Sequence, residues 1–245
     1  MKDNFSNQAA SYARFRPVYP KEMFDLIGSF VTHKHCAWDC GTGNGQVAGE
    51  LANVFEQVYA TDISEKQLAH AIKQPNIVYS LQPAESTNFA DDMFDLVTVS
   101  QAIHWFDFDR FYAEVKRTLK PGGILAVAGY KMFIADDEVN PLIRDFYVRV
   151  TGPYWDPERR YIDEDYRTIP FPFRDIPVPD FTMNYYWTAE QAAGYFSTWS
   201  AVQHFIAKNG YNLVDEFATA LAQSWGDQPR KVSFPVLLRV ARNDI

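Results

Sequence analysis

Apolar positions in this chain follow two regimes. Short apolar runs of four to six residues recur, and between them apolar residues return every three or four positions. The first regime is that of strands covered on both faces, the second that of helices lying on a sheet. His35–Cys40, Val58–Thr61, Asn76–Leu81, Phe94–Val99 and Ile124–Ala128 read as five strands. Pro20 opens a helix with Phe24, Ile27 and Val31 on one stripe. Val47, Leu51, Val54 and Phe55 mark the next, and a Ser64/Gln67 capping box launches a third that Pro75 stops. Phe108, Phe111, Tyr112, Val115 and Leu119 mark a fourth, broken at Pro121-Gly122-Gly123. Strands alternating with helices predict an α/β fold with a parallel, doubly wound sheet and right-handed crossovers.

The rhythm fails after Tyr130. Asp136–Val150 reads as a helix with Val139, Ile143, Tyr147 and Val150 on one face. Residues 152–179 are rich in proline, tyrosine and arginine and have no clean period. A loop this long inside a compact domain is usually a lid or binding loop, so we read 131–180 as a substrate cap, the plainer alternative being a surface excursion. Phe181–Trp187 then alternates like a strand, Thr188–Ala207 reads as one helix ended by Asn209-Gly210, Leu213–Trp225 as another, and Phe234–Ala241 as a last strand. The chain is thus expected to be a single domain: an N-terminal flap (1–20), a core (21–130), the cap (131–180) and completing elements (181–245). Within the first segment Tyr12, Arg14, Phe15, Arg16 and Tyr19 interleave rings and cations. This suits an arm packed on the surface, or a flap with Tyr12 or Arg16 reaching an anion.

Composition narrows the function. A net charge of −8 argues against a general nucleic-acid or anionic-membrane binder. The polar N-terminus lacks the apolar core of a signal peptide and no run approaches bilayer length, so a cytoplasmic protein is expected. Cys36 and Cys40 have no second Cys/His cluster beside them, which favours structural thiols over a metal or redox pair.

The chemistry concentrates at Asp39-Cys40-Gly41-Thr42-Gly43-Asn44-Gly45-Gln46, between the first strand and its helix. Such a corner brings main-chain N–H groups and a helix N-terminus to the polar end of a nucleotide-like ligand. Asp62, twenty-one residues beyond Gly41, is placed to accept from ribose hydroxyls. A dinucleotide would use the same acid. However, the dinucleotide pattern G-x-G-x-x-G needs a third glycine where this chain has Gln46. Asp39 would also repel a pyrophosphate, whereas it suits the ammonium of S-adenosylmethionine.

The stretch 39–45 resembles the first motif of class I S-adenosylmethionine-dependent methyltransferases. Asp62 matches their ribose acid, and Pro83-Ala84-Glu85 resembles their adenine-side loop. Phe94-Asp95-Leu96-Val97 and Leu119-Lys120-Pro121-Gly122-Gly123 resemble the segments around strands four and five. Residues 12–20, 101–106 and 198–202 are similar to a small-molecule branch that includes trans-aconitate methyltransferases. One position departs: Pro83 stands where many relatives carry Asp, leaving Glu85 or a backbone carbonyl for the adenine amino group. The resemblance implies a Rossmann-like, seven-stranded, mostly parallel sheet whose last strand is antiparallel. It implies S-adenosylmethionine as cofactor, held by Tyr12, Arg16, Asp39, Gly41, Gly43, Gly45, Gln46, Asp62, Ile63, Ala84, Glu85, Ser100, Gln101, His104 and Trp105. No metal is expected.

His104 is the candidate catalytic residue, as a base, an orienting donor or a structural histidine. For the acceptor, Arg144, Tyr147, Arg159 and Arg160 are the candidates, because arginine forks suit carboxylates and rings suit a flat or apolar body. The working expectation is O-methylation of a small carboxylic acid, which is already ionised at pH 7 and needs no base. N- or C-methylation of another metabolite, a non-catalytic relative that binds S-adenosylmethionine, and an NAD-dependent oxidoreductase are the alternatives. The oligomeric state is left open.

Overall fold

A computed structural model describes residues 15–244. Strands β1 (Cys36–Cys40), β2 (Gln57–Asp62), β3 (Ile77–Leu81), β4 (Phe94–Ser100) and β5 (Leu119–Tyr130) form the parallel part of one sheet. Helices α1 (Lys21–Phe30), α2 (Gln46–Leu51), α3 (Glu65–Ala69) and α4 (Phe108–Thr118) precede or join them. Along this part the order is β3-β2-β1-β4-β5, so the chain reverses its direction of winding between β1 and β4. The loops leaving those two strands diverge and open a crevice at their carboxyl ends, where sheets of this kind bind ligands.

Alternation along the strands fills both faces. Ala37, Ala60, Leu96, Ala126 and Ala128 face α1 and α2, while Trp38, Cys40, Val97, Val99, Leu125 and Val127 face α4. The second face also receives Ile162, Tyr166 and Ile169 from the expected cap, so that segment is fastened to the sheet. A third cluster joins Phe133, Phe146, Trp187, Tyr195, Phe196, Trp199, Trp225 and Phe234. It seats the C-terminal helices α7 (Ala189–Ser197), α8 (Ser200–Asn209) and α9 (Leu213–Trp225).

The remaining strands are β6 (Arg174–Ile176), β7 (Thr182–Trp187) and β8 (Arg230–Arg242). β8 runs antiparallel to β5 on one side and to β6 and β7 on the other, as expected of a last strand. The expected seven strands become eight because the short β6 precedes the sixth expected strand, which is β7, with Pro177 and Pro179 between them. Proline cannot donate to the ladder, so pairing stops there. β6 lies in the stretch expected to be irregular.

Other expectations are corrected locally. The helix marked by Val47 stops at Leu51 and leaves Val54 exposed. The helix marked by Phe108 ends at Thr118, and β5 starts at Leu119, before Pro121-Gly122-Gly123. The helix expected over 136–150 is α5 (Asn140–Asp145) running into a wider π turn (Phe146–Val150), closed by Thr151 N–H on the Phe146 carbonyl at 2.8 Å. The single helix expected over 188–207 is broken at Thr198–Trp199. There the Thr198 hydroxyl turns back to the Tyr195 carbonyl at 2.6 Å, and Arg16 takes the Thr198 carbonyl at 3.0 Å.

Candidate active site

The crevice holds a cavity of about 120 Å³. Its walls come from the loop after β1 (Gly41, Thr42, Gly43, Asn44), the end of β2 (Asp62, Ile63, Ser64) and the end of β4 (Ser100, Gln101, Ala102, Trp105). Arg16, Pro17 and Tyr19 of the N-terminal arm complete it.

The loop is held by the acids at its two sides. Asp39 is almost fully buried, accepting from the Thr42 hydroxyl at 2.6 Å and the Thr98 hydroxyl at 2.8 Å. Burial pushes its carboxyl up to about 6, against the two hydroxyls and the Ala48 N–H, which favour the charged form. Asp62 accepts from Gly43 N–H at 2.8 Å and Ser64 N–H at 2.9 Å. It therefore shapes the loop as well as facing the cavity. Two of the glycines do different work. Gly43 has φ 56° and nothing within 4 Å of where a Cβ would stand, so its Cα face is open to a ligand while its N–H is held by Asp62. Gly45 has φ 79° and does not line the cavity; a Cβ there would meet the Tyr79 hydroxyl, itself anchored on the Ile72 carbonyl at 2.6 Å.

Gln101 follows β4 with φ 55°, a conformation that costs about 1–2 kcal/mol for a residue with a Cβ. Its side-chain amide donates to the Tyr130 carbonyl at 3.0 Å. That strain sits where the first cavity meets a second one of about 40 Å³, since Arg16, Gln101 and Trp105 line both. The second is otherwise enclosed by His104, Trp155, Arg159, Ile162, Trp199 and Ser200. Two arginines and no acid face it.

The structure brings together most of the expected residues and separates others. Arg16, Asp39, Gly41, Gly43, Gln46, Asp62, Ile63, Ser100, Gln101 and Trp105 line the first cavity; His104 and Arg159 line the second. Ala84 and Glu85 line neither. Ala84 is buried in the core, and Glu85 accepts from Asp107 N–H at 3.1 Å, at the start of α4. Arg144 and Arg160 are exposed outside both cavities, Arg160 lying over the Tyr161 ring at 4.7 Å. Tyr147 stands behind Arg159 rather than in the wall. Tyr12 lies outside the described residues. Thr42, Thr98, Tyr166, Ile162 and Ser200 were not named as site residues. Thr42 sat inside the glycine motif and Ser200 inside the stretch 198–202, so both could have been, whereas Ile162 and Tyr166 arrive from a distant segment with no local signature.

His104 is buried on the short turn after β4, with Nδ1 at 3.2 Å from the Tyr166 hydroxyl. Burial first, and the Arg159 charge second, push its imidazolium down to about 3, so the ring is neutral at pH 7. Among the described residues there is no cluster of three or more metal-ligating side chains, and no helix is long and apolar enough to cross a membrane.

The same segments carry the likeness to known proteins. Residues 38–127 match the family described as Methyltransferase domain. Over 251 residues, 99% of this chain and 95% of the relative, the sequence is 31% identical to a Dictyostelium discoideum protein named as a methyltransferase. The chain belongs to the class I S-adenosylmethionine-dependent methyltransferases. A solved Anaeromyxobacter dehalogenans structure, described as a type II methyltransferase, is 36% identical and superposes with a TM-score of 0.84 over 94% of this enzyme and 98% of that chain. The phosphoethanolamine N-methyltransferase 2 of Haemonchus contortus, solved with S-adenosyl-L-methionine, shares the fold at 19% identity and a TM-score of 0.52, over 98% of this enzyme and 57% of that chain. The methyltransferase uses S-adenosylmethionine, and the first cavity fits it. An open Cα face at Gly43, acids at Asp39 and Asp62, and Gln46 in place of the dinucleotide glycine suit an amino-acid end and a ribose better than a pyrophosphate.

Proposed function

We propose that this methyltransferase acts on a small molecule and methylates a carboxylate oxygen. The observation that carries the reading is the second cavity, which presents Arg16 and Arg159 with no acid among its lining residues. Trp155, Trp199 and Ile162 give that cavity flat, apolar walls, which suit the body of a small organic acid. The likeness of residues 12–20, 101–106 and 198–202 to trans-aconitate methyltransferases supports the same class.

In this reading Gly41 and Gly43 offer main chain to the methionine end of the cofactor, Asp39 its ammonium and Asp62 the ribose. Ile63 lies along the adenine, with Ser64 and Gln67 in place of the expected Ala84 and Glu85. Bound S-adenosylmethionine supplies a methyl group on a cationic sulfur, ready for in-line displacement. The protein's part is to align the acceptor and keep water out, with Gln101 and Trp105 at the junction of the two cavities. A carboxylate arrives ionised and needs no proton removed. His104, neutral and with so low a proton affinity, is then a hydrogen-bonding wall residue and not a base.

The test is a screen of small carboxylic acids, phenols and amines with methyl-labelled cofactor. Label should pass to an acid as a base-labile methyl ester. Transfer to amines or phenols alone would overturn the reading.

A further inference from the structure

We propose that Asp163 is a positioning residue for the acceptor: through Tyr147 it fixes the direction in which Arg159 presents its guanidinium. This rests on the carboxylate reading above and names how that site is built. The Tyr147 hydroxyl donates to Asp163 Oδ1 at 2.6 Å and accepts from Arg159 Nε at 2.8 Å. A phenol has one proton. With that proton held on Asp163, the O–H rotation is fixed and a lone pair of the oxygen is aimed at Arg159 Nε.

The local fold makes this relay. The π turn at Phe146–Val150 carries Tyr147, and its carbonyl also receives the Trp155 indole N–H at 3.3 Å. A turn of 3-10 helix (Pro157–Arg159) and the short α6 (Arg160–Asp163) place Arg159 and Asp163 one helical turn apart, with Nε and Oδ1 at 3.6 Å. The guanidinium lies 4.8 Å from the centre of the Trp155 ring and 5.4 Å from that of Tyr147. Nε is thus tied and the plane is set, while the two terminal nitrogens make no hydrogen bond with the described residues. They are the paired donors that a carboxylate accepts from. Asp163 itself is half exposed and outside the cavity, so it acts on an acceptor only through its neighbours.

The experiment is calorimetry of the full chain saturated with S-adenosylhomocysteine, titrated with trans-aconitate and with benzoate. Asp163→Ala and Tyr147→Phe should each weaken binding of the acid about tenfold, the loss of one charge-assisted contact. Asp163→Asn, which keeps an oxygen for the Tyr147 proton, should recover most of the affinity. S-adenosylhomocysteine affinity should not change, and the Arg159 Nε–H resonance should be protected from solvent exchange in the parent and exchange rapidly in Asp163→Ala. Arg160→Ala is the control and should bind as the parent does. Should Arg159→Ala lose the acid while Asp163→Ala and Tyr147→Phe keep it, the positioning role is wrong and the acceptor reading stands. Should neither acid bind the parent, the acceptor reading falls and the positioning role with it.

Discussion

The two cavities are built by opposite means. The cavity proposed for the cofactor is built around the glycine loop and short polar residues at the ends of β1, β2 and β4, closed over by Arg16, Tyr19, Trp105 and Tyr130, with Asp39 and Asp62 holding the loop. The cavity proposed for the acceptor is nearly all long side chains, drawn from the N-terminal arm, the turn after β4, the segment 155–162 and the break between α7 and α8. A backbone site on a rigid sheet edge is hard to alter without losing the ligand. A side-chain site on turns and short helices can change its ligand by exchanging one residue.

Substitutions can break this contrast, taken here from the largest expected effect downward. Asp62→Ala removes the acid proposed to hold the ribose and also the anchor of Gly43 N–H. Calorimetry should show S-adenosylhomocysteine binding weakened about a hundredfold, from two lost hydrogen-bonding functions. Gly45→Ala places a Cβ against Tyr79 at a left-handed backbone position, and should cost about 2 kcal/mol of stability in denaturant unfolding. Its affinity for the cofactor product should change far less than its stability. Arg159→Ala should raise KM for an acid acceptor about tenfold or more while leaving S-adenosylhomocysteine affinity intact. An equal effect on both ligands would erase the division between the cavities.

The smallest effect is one of pH. Burial raises the Asp39 carboxyl to about 6, so the folded protein keeps a proton that the unfolded chain has already released. Asp39 therefore lowers stability as pH rises from about 4 to about 6, and has no further effect above that. In its proposed role opposite the cofactor's ammonium, Asp39 must be charged. Cofactor affinity should be flat above pH 7 and fall below pH 6, by at most about tenfold per unit. Asp39→Asn should bind more weakly at pH 8 and lose that slope.

How far each cavity was legible in the sequence follows from how it is built. The glycine loop, Asp62 and the alternation of strands and helices are local signals, because turn chemistry and periodicity act over a few residues. Gln101 does lie in the cavity wall at the end of β4, but its left-handed backbone had no sequence mark. Ala84 and Glu85, expected on the adenine side, fall outside the cavity wall, Glu85 accepting from the Asp107 N–H at the start of α4, a contact that local sequence does not announce. In the cap, Arg159 and Arg160 are adjacent and chemically identical. Only a short helical turn decides that one faces the cavity and the other lies on Tyr161. The break at Thr198 was equally hidden, since it depends on a carbonyl taken by Arg16 from the far end of the chain.

Arg16 has one more consequence. Its guanidinium bonds the Tyr130 hydroxyl at 3.2 Å and the Thr198 carbonyl at 3.0 Å, while Val18 and the Tyr185 hydroxyl exchange two bonds close by. The same side chain lines both chambers, so movement of the arm would open both walls at once. The expected outcome is a compulsory sequence, donor on first and spent donor off last. In steady-state kinetics S-adenosylhomocysteine should compete with S-adenosylmethionine yet act as a mixed inhibitor against the acid, and a random pattern would mean that the arm does not govern entry.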